Sequence, residues 1–212
     1  MSFNLKCFIS IVIISFLFGS CQQQNTTTPP PCSYSAYTTG SEFLYSVTSS
    51  TAVDTIREYV VGDSIVDGYS CQVIQRTTTA DSSITTYLAY CGNGNYMHKN
   101  LLIPGYGVTV DSLVYLKDNL SAGDSWTNTF SGTFGGFSVV VDYENHYIAT
   151  EATRVVNGET FNNVIQIRVD LYSTVFNVRQ STGSFNYYFA EGVGLIENDV
   201  NQTKLIDYTI VP

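Results

Sequence analysis

Phe161-Asn-Asn-Val-Ile-Gln-Ile-Arg-Val-Asp-Leu-Tyr-Ser-Thr-Val-Phe-Asn-Val178 is the stretch on which the fold turns. Ile165, Ile167, Val169 and Leu171 share one parity, and Gln166, Arg168, Asp170 and Tyr172 share the other. A period of two marks a strand with one buried and one wet face, as in antiparallel sheets. Asn157-Gly158, just ahead of it, tolerates the positive φ angles of a tight hairpin turn, so residues 152–156 are expected to pair back onto it.

The same grammar extends both ways. Gly135-Gly136 joins residues 126–134 to 137–149, and strand signals continue at 187–190, 194–198 and 204–211. Upstream they recur at 42–49, 53–61, 69–79, 84–90, 96–99 and 108–116, with Gly62-Asp63 and Gly92-Asn93-Gly94 among the turn clusters between them. Beyond the first twenty residues no window carries a helical stripe. The expected fold is all-β: a single curved antiparallel sheet, a meander of about ten strands running from half-barrel to open barrel. A sheet of that size must twist and then curl or close.

The chain opens differently. Lys6 precedes Cys7–Phe18, apolar apart from Ser10 and Ser15, and Gly19-Ser20-Cys21 follows. This is a signal-peptide pattern, too short for a permanent span of a bilayer core about 30 Å thick. Small residues before Cys21 resemble the bacterial lipobox, which implies cleavage after residue 20 and acylation of Cys21. Several acyl chains on one sulfur and amine suffice for stable membrane anchoring. Gln22 follows the cysteine rather than Asp, which in enterobacterial sorting favours the outer membrane. Residues 21–40, uncharged and with Pro29-Pro30-Pro31 at their centre, read as an extended tether. Residues 41–212 then form one domain.

Loss of Lys6 with the leader takes the formal charge from −9 to −10. An acidic chain without basic runs excludes nucleic acid as a partner, because such binding rests on neutralising phosphates. The expected partners are the membrane, through Cys21, and a lipid-like or protein ligand on the curved sheet.

Export permits disulfides. Cys71 and Cys91 lie symmetrically about Ala80-Asp81-Ser82, so a three-residue turn there would set them opposite each other across a hairpin. They are the candidate bridge. Cys32 paired with either one, or three free thiols, are the other arrangements open to these residues.

Catalytic and metal vocabularies are thin. Gly-Asp-Ser occurs at 62–64 and 123–125, but neither His98 nor His146 follows an Asp by three residues, so Ser64 and Ser125 lack the base of the Gly-Asp-Ser hydrolases. Asp142, Glu144 and His146 share one strand face at about 6.6 Å per step, a spacing that rarely chelates without other ligands. They read as a solvated face, and His98 as a surface histidine. No cofactor, metal or catalytic residue is assigned, and the chain is expected not to be an enzyme.

Three ordered motifs go further. Leu120-Ser-Ala-Gly-Asp-Ser-Trp126 is followed by Asn157-Gly-Glu-Thr-Phe-Asn-Asn-Val-Ile-Gln-Ile-Arg168, then by Tyr187-Tyr-Phe-Ala-Glu-Gly-Val-Gly-Leu-Ile-Glu197. Together they resemble the TapB-like and related domain-of-unknown-function families of bacterial envelope lipoproteins. The resemblance covers residues 113–211 and implies an incomplete barrel similar to the lipoprotein carriers LolA and LolB. It implies structural roles for Trp126, Gly158, Phe161, Ile165, Ile167, Gly192 and Gly194, and no catalytic residue. The functional expectation is an envelope lipoprotein of the outer membrane that binds a lipid-like ligand or a partner on its sheet. A surface glycan- or protein-binding module is the alternative.

Overall fold

The structure is a computed structural model that describes residues 32–48, 53–80, 82–103, 108–134 and 136–212. The leader, Cys21 and the first part of the tether lie outside the described residues. Twelve strands are described: β1 (Glu42–Thr48), β2 (Val53–Val66), β3 (Tyr69–Thr78), β4 (Ile84–Gly92), β5 (Asn95–Ile103), β6 (Val108–Lys117), β7 (Ser125–Phe134), β8 (Phe137–Val156), β9 (Glu159–Val175), β10 (Val178–Ala190), β11 (Gly194–Asn198) and β12 (Thr203–Thr209). All belong to one antiparallel sheet in the order β6-β5-β4-β3-β2-β1-β12-β11-β10-β9-β8-β7. The all-β meander read from the sequence is the fold observed.

Pairing of β1 with β12 joins the two halves of the chain, which leaves β6 and β7 as the edges. These edges meet through side chains. Trp126 Nε1 donates to the Val114 carbonyl at 2.9 Å. The Asn128 carboxamide donates to the same carbonyl at 3.0 Å and accepts from Val114 N at 3.1 Å. One side-chain amide thus supplies the donor and acceptor that a neighbouring strand would offer, and the sheet becomes a nearly closed barrel.

Because successive strands alternate in direction, the turns divide between two ends. The turns at 67–68, 93–94, 157–158 and 191–193 lie at the end where the chain enters β1; the β7–β8 connection and the turn at 176–177 lie at the far end. The expected hairpin at 157–158 is present, with Val156 paired to Glu159 and φ of 49° and 87° at Asn157 and Gly158. Phe134 likewise pairs with Phe137 around 135–136.

Two other turns were not legible. Residues 161–178 are not one strand: β9 ends at Val175, and Phe176-Asn177 turn into β10 with φ of 51° and 63°. Gly62-Asp63 does not end β2 either. The register shifts by one residue there, and the strand continues to a turn at Asp67-Gly68.

The disulfide expectation needs correction. Cys91 is bonded to Cys32, with Cα atoms 5.9 Å apart, and Cys71 is a buried free thiol. The cause is loop length. Thr78 N bonds to Ser83 O, so four residues, 79–82, separate the paired positions rather than three. That slips the register by one: Gln72 faces Ala89, which sets Cys71 across from Tyr90 and turns Cys91 to the other face. Cys91 then packs in the inner cluster with Cys32, Tyr34 and Tyr96.

Residues 32–40 are correspondingly part of the barrel, not of the tether. Ser33 O accepts from Gly192 N, Tyr34 packs edge-on against Tyr96 at 6.4 Å, and Tyr37 packs against Phe43 at 5.4 Å. This strap joins both buried clusters. One is built on Phe43, Tyr45, Val60, Ile74, Tyr87 and Leu205, the other on Tyr96, Leu116, Ile165, Ile167 and Phe189.

Candidate functional site

Glu58 on β2 and Arg76 on β3 are directly paired positions, where opposite charges attract across the ladder. Glu58 is 3% exposed. Its Oε1 accepts from Arg76 Nε at 2.8 Å, Arg76 Nη2 at 2.5 Å and the Tyr87 hydroxyl at 2.8 Å. The guanidinium also sits 5.1 Å from the Tyr87 ring centroid. Burial alone would lower the Arg76 pKa, but the Glu58 charge outweighs it and holds the guanidinium above its ordinary value. Burial, then the same negative charge, pushes the Tyr37, Tyr45 and Tyr87 hydroxyls well above the usual phenol range. The cluster therefore sets the Glu58–Arg76 ion pair among tyrosines that burial keeps neutral.

His98 on β5 extends this cluster inward. Its ring lies 4.7 Å from Tyr87 and 4.4 Å from Tyr115, and Tyr115 lies 5.5 Å from Phe189. The strands of those last two, β6 and β10, are separated by seven strands one way round and three the other. The contact therefore crosses the barrel interior. His98 is thus an interior residue rather than the surface histidine read from its neighbours, and its Nε2 is buried without a hydrogen-bond partner among the described residues. Burial, aided by the Arg76 charge, lowers its pKa to about 3.

That shift fixes a sign. Between about pH 6.5 and 3 the unfolded chain takes up a proton that the folded barrel refuses. Stability therefore falls as pH drops through this window, by up to about 1.4 kcal/mol per pH unit, and this group has no effect above it. Urea midpoints measured from pH 8 to 4 are expected to decline less steeply in His98→Gln than in the parent. Parallel curves would refute the assignment.

The residues singled out in the sequence lie elsewhere. Asp142 and Glu144 share Arg179, at 3.5 and 2.5 Å, and Thr129 donates to Asp142 at 2.8 Å. His146 Nε2 is 3.2 Å from Asp170, which also takes Arg168 and Ser184. Ser125 is the ladder partner of His146, yet no hydrogen bond joins them among the described residues. Ser64 pairs with Cys71, and the structure brings neither Ser64 nor Ser125 to His98. Among the described residues no group of three or more His, Cys, Asp or Glu is arranged to hold a metal ion.

Glu58 and Arg76 went unremarked in the sequence, although a signal existed. Glu58 shares its parity with Ile56 and Val60, and Arg76 shares its parity with Ile74. Opposite charges on the apolar parity of successive strands announce an interior ion pair.

No family model and no curated protein matches the chain. Two solved structures do. A candidate lipoprotein from Parabacteroides distasonis superposes with a TM-score of 0.56 at 14% identity, covering 82% of this chain and 96% of its own. A candidate exported protein from Bacteroides fragilis, described as having a YmcC-like fold, gives 0.56 at 12% identity, covering 81% and 96%. At these identities the likeness is one of fold. Neither is described in terms of the TapB-like or LolA/LolB families.

Proposed function

We propose that this chain is a bacterial envelope lipoprotein, anchored through Cys21, whose barrel works as a surface binding module and not as an enzyme or a lipid carrier. Envelope placement draws on the leader ending at Cys21 and on a fold shared with proteins named as lipoprotein and exported protein. The observation that carries the rest is the set of aromatic contacts made across the interior. Tyr115 reaches Phe189 across the barrel, and the strap residues Tyr34, Ala36 and Tyr37 pack on the two clusters. A carrier of acyl chains needs an apolar cavity, and side chains that meet across the interior favour a binding module over such a carrier.

The test is native mass spectrometry and lipid extraction of the full chain, expressed with its leader in a lipoprotein-processing host. Covalent acyl mass on Cys21 and no stoichiometric non-covalent lipid is the expected result. A co-purifying lipid that raises the melting temperature would restore the carrier reading.

A further inference from the structure

Three side chains on the outer wall of the barrel are buried. Ala89 pairs with His98 and both face the interior, so their neighbours Leu88 and Lys99, which also pair, face outward. Val73 pairs with Leu88, which puts Tyr69 and Cys71 on that outer face as well. Yet Leu88, Lys99 and Cys71 are only 9%, 5% and 0% exposed. The end of the β2–β3 hairpin supplies the cover. On its β1 side, β2 is last bonded at Val60; on its β4 side, β3 is last paired at Gln72. Beyond these points Ser64, Ile65 and Val66 pair with Cys71, Ser70 and Tyr69, a two-stranded ribbon that starts past the register shift at Val60–Gly62. Its tip reaches two strands across the wall. Lys99 Nζ on β5 donates to Asp67 Oδ2 at 2.7 Å and lies 4.5 Å from the Tyr69 ring centroid. Tyr69 in turn packs edge-on against Tyr90 of β4, with centroids 4.8 Å apart. The ribbon therefore leans over the outside of β4.

We propose that Asp63–Cys71 is a flap, hinged at the bulge at Val60–Gly62 and latched over β4 by the Lys99–Asp67 ion pair. A two-stranded ribbon is marginal by itself, so its contacts with the wall decide where it lies. The latch is asymmetric. Asp67 keeps 71% of its side chain exposed, so salt screens it. The Lys99 side chain is only 6% exposed, so removing the carboxylate leaves a nearly buried ammonium unpaired. Lifting the ribbon returns that ammonium to water. The flap thus opens as ionic strength rises, and opening uncovers Leu88 and the Cys71 thiol. The ladders that close the rest of the sheet do not include the ribbon, so this opening is local.

The test uses the full acylated chain, with Cys71 as reporter, since Cys32 and Cys91 are bonded to each other and Cys71 is free. The rate of N-ethylmaleimide labelling measures how often the flap opens. Asp67→Asn is the variant of choice: position 67 holds φ at 52°, where Asn is as well tolerated as Asp, so the turn is kept and only the charge is lost. Asp67→Asn is expected to label at least about fivefold faster than the parent. The parent should speed up similarly in about 1 M sodium chloride, where charges are screened within about 3 Å, and Asp67→Asn should gain nothing more. Urea midpoints should stay unchanged, and Cys71→Ser should take no label. Equal rates in the parent, in Asp67→Asn and at high salt would overturn the flap. So would an acceleration matched by a fall in the urea midpoint, because Cys71 would then be reached only by global unfolding.

Discussion

Glu58→Ala is expected to destabilise the barrel by about 3–5 kcal/mol, because removing one member of a buried ion pair strands the other. Arg76 would lose both of its bonds to Glu58, and the Tyr87 hydroxyl would lose its acceptor. The Arg76 side chain keeps 36% of its surface accessible, so partial hydration should bring the loss toward the lower bound. For a domain of this length that corresponds to a fall in melting temperature on the order of 10 °C. Arg76→Met alone is costly in the opposite sense, since it leaves a carboxylate that is nearly fully buried. The double variant E58M/R76M replaces the pair with apolar volume and should recover most of the loss. Urea unfolding at pH 7 measures all three. A single-variant loss under 1 kcal/mol, or a double variant as weak as the sum of the singles, would show that the pair is solvated rather than interior.

What the sequence made legible follows from where physical signals are local. Alternation at 165–172 and the Asn157-Gly158 turn depend only on neighbours, and both appear in the barrel as read. Register across a longer loop does not. Residues 79–82 could close as three or four, and that single step decides whether Cys71 or its neighbour faces Cys91. The turn at Phe176-Asn177 hid for a different reason: an aromatic residue in the left-handed region contradicts the propensity by which turns are recognised. Closure was hidden too, because the Asn128 clamp on Val114 is a long-range side-chain event that no strand pattern announces. The interior site lay between these cases. Glu58 and Arg76 were visible as charges on an apolar parity, whereas His98 could be placed only once β5 and β6 had curled to bring Tyr115 against it.

Cys32→Ser and Cys91→Ser are each expected to cost about 4 kcal/mol, the chain-entropy value for a closed loop of this size. The bond spans a sequence separation of 59 and encloses β1 to β4. A local effect adds to the global one. The strap that holds Tyr34 and Tyr37 against the barrel starts at Cys32 and is otherwise tied at its outer end by the Ser33–Gly192 bond. Without the disulfide, proteolysis after Tyr34 or Tyr37 should become detectable under conditions where the parent is resistant. Cys71→Ser is the discriminating control. Its thiol is fully buried, pushed up in pKa by burial and placed on the other face, so its loss changes packing but no cross-link. The parent under reducing conditions should match Cys32→Ser, and Cys71→Ser should lose further stability on reduction. If instead Cys32→Ser were neutral and Cys71→Ser matched the reduced parent, the hairpin bridge between Cys71 and Cys91 would be the native bond. The strap would then revert to tether, lengthening the link to Cys21.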